Sequence, residues 1–237
     1  MKDLNEYELP YDLDAEFSSS ELTEIHIGDL NLPTGKIIAA DPFFTDSQQA
    51  FTRSVEPDKY PVYIYMAEID ELHHRVAYAK VKFRPETATK YILALTEDLT
   101  KEELDELGED EFFGFPVDSG LAALLDAQTN EQLTARMDLL LENNPEANYY
   151  DEVLAKEFAE YSGKNKFSRA LGDWNDHHPS TDSDNNVIMF SSGWGDGYYP
   201  AYWGLNDNGD TIELVIDFLL NDFEEGEDVE FDDEEQA

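Results

Sequence analysis

The sequence lacks cysteine, which excludes disulfide bonds, thiolate catalysis and cysteine-ligated metals. Basic residues are also scarce, since 15 Lys and Arg face 55 Asp and Glu and the formal net charge at pH 7 is -40. Nucleic acids and anionic membranes are disfavoured as partners, because both are bound through clusters of Lys and Arg. A basic protein is the partner that this charge favours. The alternative is that the acidity serves only solubility or a salt-rich habitat.

Long apolar runs are absent as well. No segment reaches the roughly 18 consecutive apolar residues of a membrane-spanning helix, and residues 1–7 lack the apolar run of a signal peptide. We therefore expect a cytoplasmic protein. The chain has no phosphate-binding Walker loop, no nucleophile elbow, no His-Glu-x-x-His motif and no dinucleotide fingerprint, so the sequence predicts neither a cofactor nor a reaction.

Alternating or β-branched apolar runs predict the strands. They lie at 24–30, 35–40, 60–66, 74–83, 90–95, 187–190, 201–205 and 211–218. We interpret the first two as a strand pair and the next three as an antiparallel meander, because no helix intervenes. The Asn208-Gly209 dipeptide predicts a hairpin between the last two strands.

The middle of the chain carries helical patterns. Thr100 and Glu103 have the spacing of a capping box. A helix is expected at 129–141, where Leu133, Met137, Leu140 and Leu141 share one stripe, and a third at about 150–161. Residues 172–186 are rich in Asn, Asp, Ser and His, which predicts one long loop.

These features predict the α+β class, with a mainly antiparallel, meander-like or sandwich-like sheet and a central helical insertion. No repeat or clean linker divides the chain, so residues 1–220 are expected to form a single domain. From residue 221 onward, ten of seventeen residues are Asp or Glu. Residues 221–237 are therefore predicted to be a disordered acidic tail.

The most specific local signal is the segment 190–204, which is rich in glycine and aromatic residues. Its alternating glycines suit a tight turn with positive φ or the close approach of another group. We interpret it as a hairpin that offers a ligand stacking surface and a carboxylate. The alternative is a turn whose glycines serve geometry and whose aromatics enter the core. The candidate ligand-binding residues here are Ser192, Gly193, Trp194, Gly195, Asp196, Gly197, Tyr199 and Trp203.

Further candidate ligand-binding residues are Asp41, Asp118, Ser119 and Asp126. Asp118 lies where a strand is expected to pass into a helix, so it either caps that helix or faces a cleft. Asp126 is near two helical turns further on and could approach the same cleft. Asp41, Asp118 and Asp196 could perform acid–base or metal chemistry if they converge. We assign no catalytic residue and predict no metal site.

An ordered set of motifs resembles a bacterial family known only as a domain of unknown function, DUF4241. The motifs are Ile27-Gly28-Asp29-Leu30, Pro33-Thr34-Gly35-Lys36-Ile37, Ala40-Asp41-Pro42-Phe43, Tyr60-Pro61-Val62, Arg75-Val76-Ala77, Phe115-Pro116-Val117-Asp118-Ser119-Gly120, Ser191-Ser192-Gly193-Trp194-Gly195-Asp196-Gly197-Tyr198-Tyr199-Pro200 and Leu214-Val215-Ile216-Asp217-Phe218. The resemblance spans about residues 24–218 and implies a shared fold and cleft without an established activity. Family members usually carry a Thr-Gly-Cys-like segment where this chain has Leu121-Ala122-Ala123.

Two functional hypotheses follow. The first is a soluble acidic binding protein, such as an immunity-like or inhibitor-like factor, that holds a basic protein partner. The alternative is a divalent-cation-dependent enzyme or a small-molecule-binding protein with a carboxylate-lined cleft. Convergence of Asp41, Asp118 and Asp196 would favour the enzyme, and their separation would favour the binder. The sequence does not indicate an oligomeric state.

Overall fold

The computed structural model describes residues 22–70, 73–96, 99–107 and 111–220. The strands are β1 Leu22–Leu32, β2 Ile37–Ala40, β3 Asp58–Asp70, β4 His73–Lys82, β5 Lys90–Leu93, β6 Gly114–Val117, β7 Leu121–Asp126, β8 Trp174–His177, β9 Val187–Ser191, β10 Gly197–Leu205 and β11 Thr211–Asp217. The helices are α1 Lys101–Glu106, α2 Ala127–Asn143 and α3 Ala155–Tyr161. A 3-10 turn spans Thr45–Ser47, and a π-helical turn, Tyr150–Leu154, leads into α3.

The strands form two sheets in which every pairing is antiparallel. The large sheet has the order β1-β3-β4-β11-β10-β5, with β6 also paired to β10, and the small sheet has the order β2-β7-β9-β8. One apolar core lies between the sheets, and further cores cover the outer face of each. The predicted α+β class, with mainly antiparallel sheets and helices in the middle of the chain, is confirmed.

The small sheet is buried on both faces, which explains its composition. In β7, Ala122 and Leu124 point into the core between the sheets, whereas Leu121, Ala123 and Leu125 join a second core. That second core also contains Leu133 of α2 and Phe158 of α3, so these helices cover the outer face of the sheet. A strand covered on both faces needs no polar alternation, and it therefore reads as a continuous apolar run.

Two predicted strand pairings are wrong. β1 pairs with β3 and β2 pairs with β7, so the first two strands belong to different sheets. The turn between them, closed by the hydrogen bond from Gly35 N to Leu32 O (3.2 Å), carries the chain from one sheet to the other. The meander holds for β3 and β4 but not for β5, because β11 occupies the far side of β4 and β5 pairs with β10.

The predicted loop at 172–186 is also wrong in part, because it contains β8. The side chains of this strand that face the helical layer are polar, and that layer satisfies them, whereas Trp174 packs into the core between the sheets. Asn175 Nδ2 donates to Glu157 Oε2 (2.9 Å), and His177 Nδ1 lies 2.8 Å from the same oxygen. Tyr149 Oη lies 2.9 Å from His177 Nε2. Because Trp174 is the one apolar residue of β8, the strand shows no apolar run in its sequence.

Several local predictions are confirmed. Glu103 N donates to Thr100 Oγ1 (3.3 Å) and Thr100 N donates to Glu103 Oε2 (2.8 Å), which completes the capping box of α1. Asn208 and Gly209 lie in the β10–β11 hairpin turn. In the described ranges, no helix has the length and apolar character to cross a membrane. The predicted tail at 221–237 lies outside the described residues.

The carboxyl of Asp176 provides a test of this packing. Burial raises its pKa above the ordinary value, and the negative charge of Asp29 raises the pKa further. A hydrogen bond from Asn186 Nδ2 (2.7 Å) and the nearby His178 both oppose this shift. The folded state then binds the proton more tightly than the unfolded state does. Protonation of Asp176 therefore stabilises the folded state at low pH. This stabilisation is lost as the pH rises from the ordinary pKa through the raised one.

We therefore expect Asp176→Asn to increase the free energy of unfolding at about pH 7 and to have little effect at about pH 3, where the wild-type carboxyl is protonated in both states. The amide retains an acceptor for Asn186. Denaturant titration at both pH values measures the difference, with Asp182→Asn, at an exposed position, as the matched control. An equal effect at both pH values, or a loss of stability at pH 7, would contradict this assignment.

Candidate functional site

A cavity of about 670 Å³ lies at one end of the small sheet. Antiparallel pairing brings several strand ends to this end of the sheet. The cavity is therefore lined by the segment after β2, the β6–β7 turn, the loop before β8 and the segment after β9. We call it the crossover cavity, since the chain passes from the small sheet to the large sheet beside it. Its lining residues with polar side chains are Arg75, Asp118, Ser119, Asn148, Tyr150, Arg169 and Ser191.

Asp41 holds one wall of this cavity in place. Its buried carboxylate accepts three backbone N–H groups, from Phe43 to Oδ1 (2.9 Å) and from Asp118 (3.0 Å) and Ser119 (2.8 Å) to Oδ2. Hydrogen bonds to an ionised acceptor are stronger than neutral ones, so the segment after β2 is tied firmly to the β6–β7 turn. Asp41 thus supports the cavity from behind and does not line it.

Asp118 and Ser119 line the cavity with exposed side chains. The prediction that a helix follows them is wrong, because residues 121–126 form strand β7 and α2 begins only at Ala127. Asp118 therefore caps no helix. Its backbone is fixed by Asp41, and its carboxylate makes no hydrogen bond or ion pair with any residue that the structure describes.

Asp126 ends β7, and the length of that strand, about 17 Å, separates it from the end of β7 at the cavity. The predicted approach of Asp118 and Asp126 to one cleft is therefore wrong. The fully buried carboxylate of Asp126 caps α2 by accepting Gln128 N (2.8 Å). It also accepts Thr34 N (2.9 Å) and Thr34 Oγ1 (2.9 Å), which anchors the β1–β2 turn. Asp126 is a structural residue.

The glycine-rich segment is a crossover, not a hairpin, because β9 belongs to the small sheet and β10 to the large sheet. Its loop is closed by Gly195 N donating to Ser192 O (2.6 Å), and Ser192 Oγ (2.8 Å) and Tyr199 Oη (2.9 Å) both donate to Gly195 O. Gly193 has φ +48, and a Cβ there would lie 2.8 Å from Phe218 Cβ. Packing against the core therefore requires glycine at this position.

The aromatic residues of the segment have different roles. Trp203 is fully buried and packs edge-on against Phe51, so it is a core residue. Trp194 is 46% exposed and lines the cavity, where Arg75 Cζ lies 5.4 Å from its ring centroid. This distance suits a cation–π contact.

The structure thus brings five predicted residues to the cavity lining: Asp118, Ser119, Gly193, Trp194 and Gly195. The predicted residues that do not line it are Asp41, Asp126, Ser192, Asp196, Gly197, Tyr199 and Trp203. Asp41, Asp118 and Asp196 do not form a ligand set, since no three His, Asp or Glu side chains in the described ranges are arranged to hold a metal ion.

Sequence reasoning missed the two arginines of the cavity. Arg169 Nε donates to Asp173 Oδ1 (2.7 Å) and Arg169 Nη2 to Ser191 Oγ (3.0 Å), which orients this guanidinium at the rim. Arg75 comes from β4 of the other sheet. Arg75 belongs to the Arg75-Val76-Ala77 motif of the family resemblance, which was the available signal for it, whereas Arg169 lies in no such motif.

The roles of Asp41 and Asp118 can be separated by isosteric substitution. We expect Asp41→Asn to cost about 2 to 4 kcal/mol in unfolding free energy, because it removes the charge and sets an amide group against backbone donors. Asp118→Asn should change stability by less than about 0.5 kcal/mol, because its carboxylate has no partner among the described residues. Denaturant unfolding of both variants measures this, and equal effects would contradict the assignment.

The family comparison covers the part of the chain that forms the cavity. A model of the family described as "Protein of unknown function (DUF4241)" matches residues 30–216, which include the cavity-lining residues from both sheets. No curated protein and no solved structure gives a significant match. The matched residues cover most of the chain, and the protein therefore belongs to the DUF4241 family.

Proposed function

We propose that the protein binds a small organic molecule in the crossover cavity. The observation that carries this proposal is the exposure of large apolar side chains around one concave site. Phe44 is 48% exposed, Leu171 69% and Trp194 46%, and all three line the cavity. Apolar surface left open to water around a cavity with a few polar groups is typical of ligand sites.

The frame of the cavity supports this proposal because hydrogen bonds within the chain hold it in place. Asp41 fixes the wall that carries Asp118, and the hydrogen bonds of Ser192 and Tyr199 fix the loop that carries Trp194. A preformed site loses little conformational entropy when it binds, so more of the contact energy contributes to affinity. Neither group of hydrogen bonds involves a side chain that lines the cavity.

Blocking the cavity tests the proposal. We expect a subset of compounds in a panel of amino acids, nucleotides, organic acids and amines to raise the melting temperature of the wild-type protein, and Ser119→Trp to abolish those shifts by filling the cavity. The backbone bond from Ser119 to Asp41 survives this change. Ser54→Trp, at an exposed position away from the cavity, is the matched control. Shifts that persist in Ser119→Trp, or no shift with any compound, would contradict the proposal.

A second candidate function is the binding of a basic protein, which the charge of -40 favours. The observation that supports it is an open groove outside the crossover cavity, lined by Glu103, Glu106 and Glu111. Phe112 and Tyr198 also line this groove, and their rings stack with centroids 6.2 Å apart. Carboxylates beside exposed aromatic faces suit Lys and Arg side chains of a partner. The cytoplasmic location expected from the sequence accompanies both proposals and stays a prediction.

This second function predicts salt-dependent binding of an arginine-rich peptide. Its affinity should fall steeply as salt rises from about 50 to about 150 mM, because exposed charges are then screened within about 8 Å. Glu106→Gln and Tyr198→Ala should weaken binding more than the exposed controls Glu142→Gln and Leu139→Ala. Fluorescence polarisation measures the affinities. Binding that is insensitive to salt, or equal losses in the controls, would exclude the groove as the binding surface.

A further inference from the structure

We propose that the ligand of the crossover cavity is a zwitterion, namely an α-amino acid with a large apolar or aromatic side chain. This inference rests on the proposed small-molecule function. It adds the chemical class of the ligand and the residue that recognises each of its charges. The carboxylate is assigned to Arg75, the ammonium to Asp118 and the side chain to the apolar surface around Trp194.

Arg75 is the cation of the cavity that lacks a counter-charge. It is half-buried, and it makes no hydrogen bond or ion pair within the described part of the chain. Its Nε is inaccessible to solvent and has no hydrogen-bond partner among the described residues. Its guanidinium lies near the ring of Trp194, with Cζ 5.4 Å from the ring centroid. In a chain with 55 acidic residues, a half-buried arginine left without a carboxylate is well placed to receive one from a ligand.

Arg169 does not compete for that role, because its charge is already compensated. The buried carboxylate of Asp173 accepts both Arg169 Nε (2.7 Å) and Arg169 N (2.6 Å). Ser191 Oγ donates to Asp173 Oδ1 (2.8 Å) and completes the cluster. Arg169 and Asp173 together contribute no net charge, so among the described residues the uncompensated charges that line the cavity are those of Arg75 and Asp118.

Asp118 is the uncompensated anion. Its side chain is exposed on the cavity wall while its backbone N–H is held by Asp41 Oδ2 (3.0 Å). Arg75 and Asp118 line the same cavity and yet form no ion pair with each other, so neither neutralises the other directly. A ligand that carries one charge of each sign satisfies both, whereas a simple acid or amine leaves one of them without a partner.

The field of the whole protein supports the same choice. A net charge of -40 repels anions during their approach, and it attracts amines to every part of the surface without selecting the cavity. A zwitterion has no net charge and avoids both effects. The remaining apolar surface, from Phe44, Leu171 and Trp194, fits an aromatic or branched side chain.

Calorimetric titration with three matched compounds at about pH 7 tests this inference. L-Tryptophan carries both charges, indole-3-propionate lacks the ammonium and tryptamine lacks the carboxylate. We expect L-tryptophan to bind the wild-type protein at least about tenfold more tightly than either analogue, since each lost charge pair should cost that much or more.

Two variants assign the charges. Arg75→Gln should lower the affinity for L-tryptophan to that for tryptamine while leaving tryptamine binding unchanged, which also shows that the cavity is intact. Asp118→Asn should lower the affinity for L-tryptophan to the affinity that the wild-type protein has for indole-3-propionate. Arg84→Gln and Asp207→Asn, both outside the cavity, are the matched controls and should bind as the wild type does.

The outcomes separate this inference from the function on which it rests. Equal binding of L-tryptophan and either analogue would overturn the zwitterion while leaving a small-molecule site. The same holds if none of the three binds but another compound gives a thermal shift that Ser119→Trp abolishes. If no compound of the wider panel gives such a shift, the proposed function itself fails.

Discussion

The carboxylate of Asp41 accepts three backbone N–H groups, and the shape of the crossover cavity depends on this cluster of hydrogen bonds. It joins the end of β2 to the turn that precedes β7, so the backbone that carries the Asp118 side chain is held in place. Buried carboxylates are costly unless their oxygens are satisfied, and here three amides satisfy them. The opposite wall depends on Ser192 and Tyr199, which close the crossover loop.

Charge acts on two scales in this protein. Across the whole chain the excess of acid is large, and it sets the sign of partners that the surface attracts. Inside the cavity the balance is local: Asp173 compensates Arg169, while Arg75 and Asp118 remain as separate charges of opposite sign. The global charge therefore predicts little about the local balance of charge inside the cavity.

Sequence patterns predicted the features that depend on local chemistry. The capping box of α1, the Asn-Gly hairpin and the strands with alternating polarity all follow from residues near one another in the chain. β7 was mistaken for the start of a helix, because a strand buried on both faces shows no alternation. β8 was missed for a different reason, since its buried Asn175 and His177 are polar and are satisfied by Glu157.

The candidate site was predictable only in part. Trp194 belongs to a segment with unusual composition, and Asp118 lies where a strand was expected to end. Trp203 was included with the same segment and Asp126 for its spacing from Asp118, although Trp203 fills the core and Asp126 caps a helix. Arg75 stood in a motif of the family resemblance and Arg169 in none, but neither was assigned to the cavity, because a strand of the large sheet and the loop before β8 meet there and no short-range pattern encodes that topology.

The most direct test of this account is a crystal structure of the protein grown with L-tryptophan. The account predicts electron density for the ligand in the crossover cavity, with its carboxylate against the Arg75 guanidinium, its ammonium within hydrogen-bond distance of the Asp118 carboxylate and its indole against Trp194. Density for the amino acid bound elsewhere, or bound in the cavity with its two charges away from Arg75 and Asp118, would contradict it.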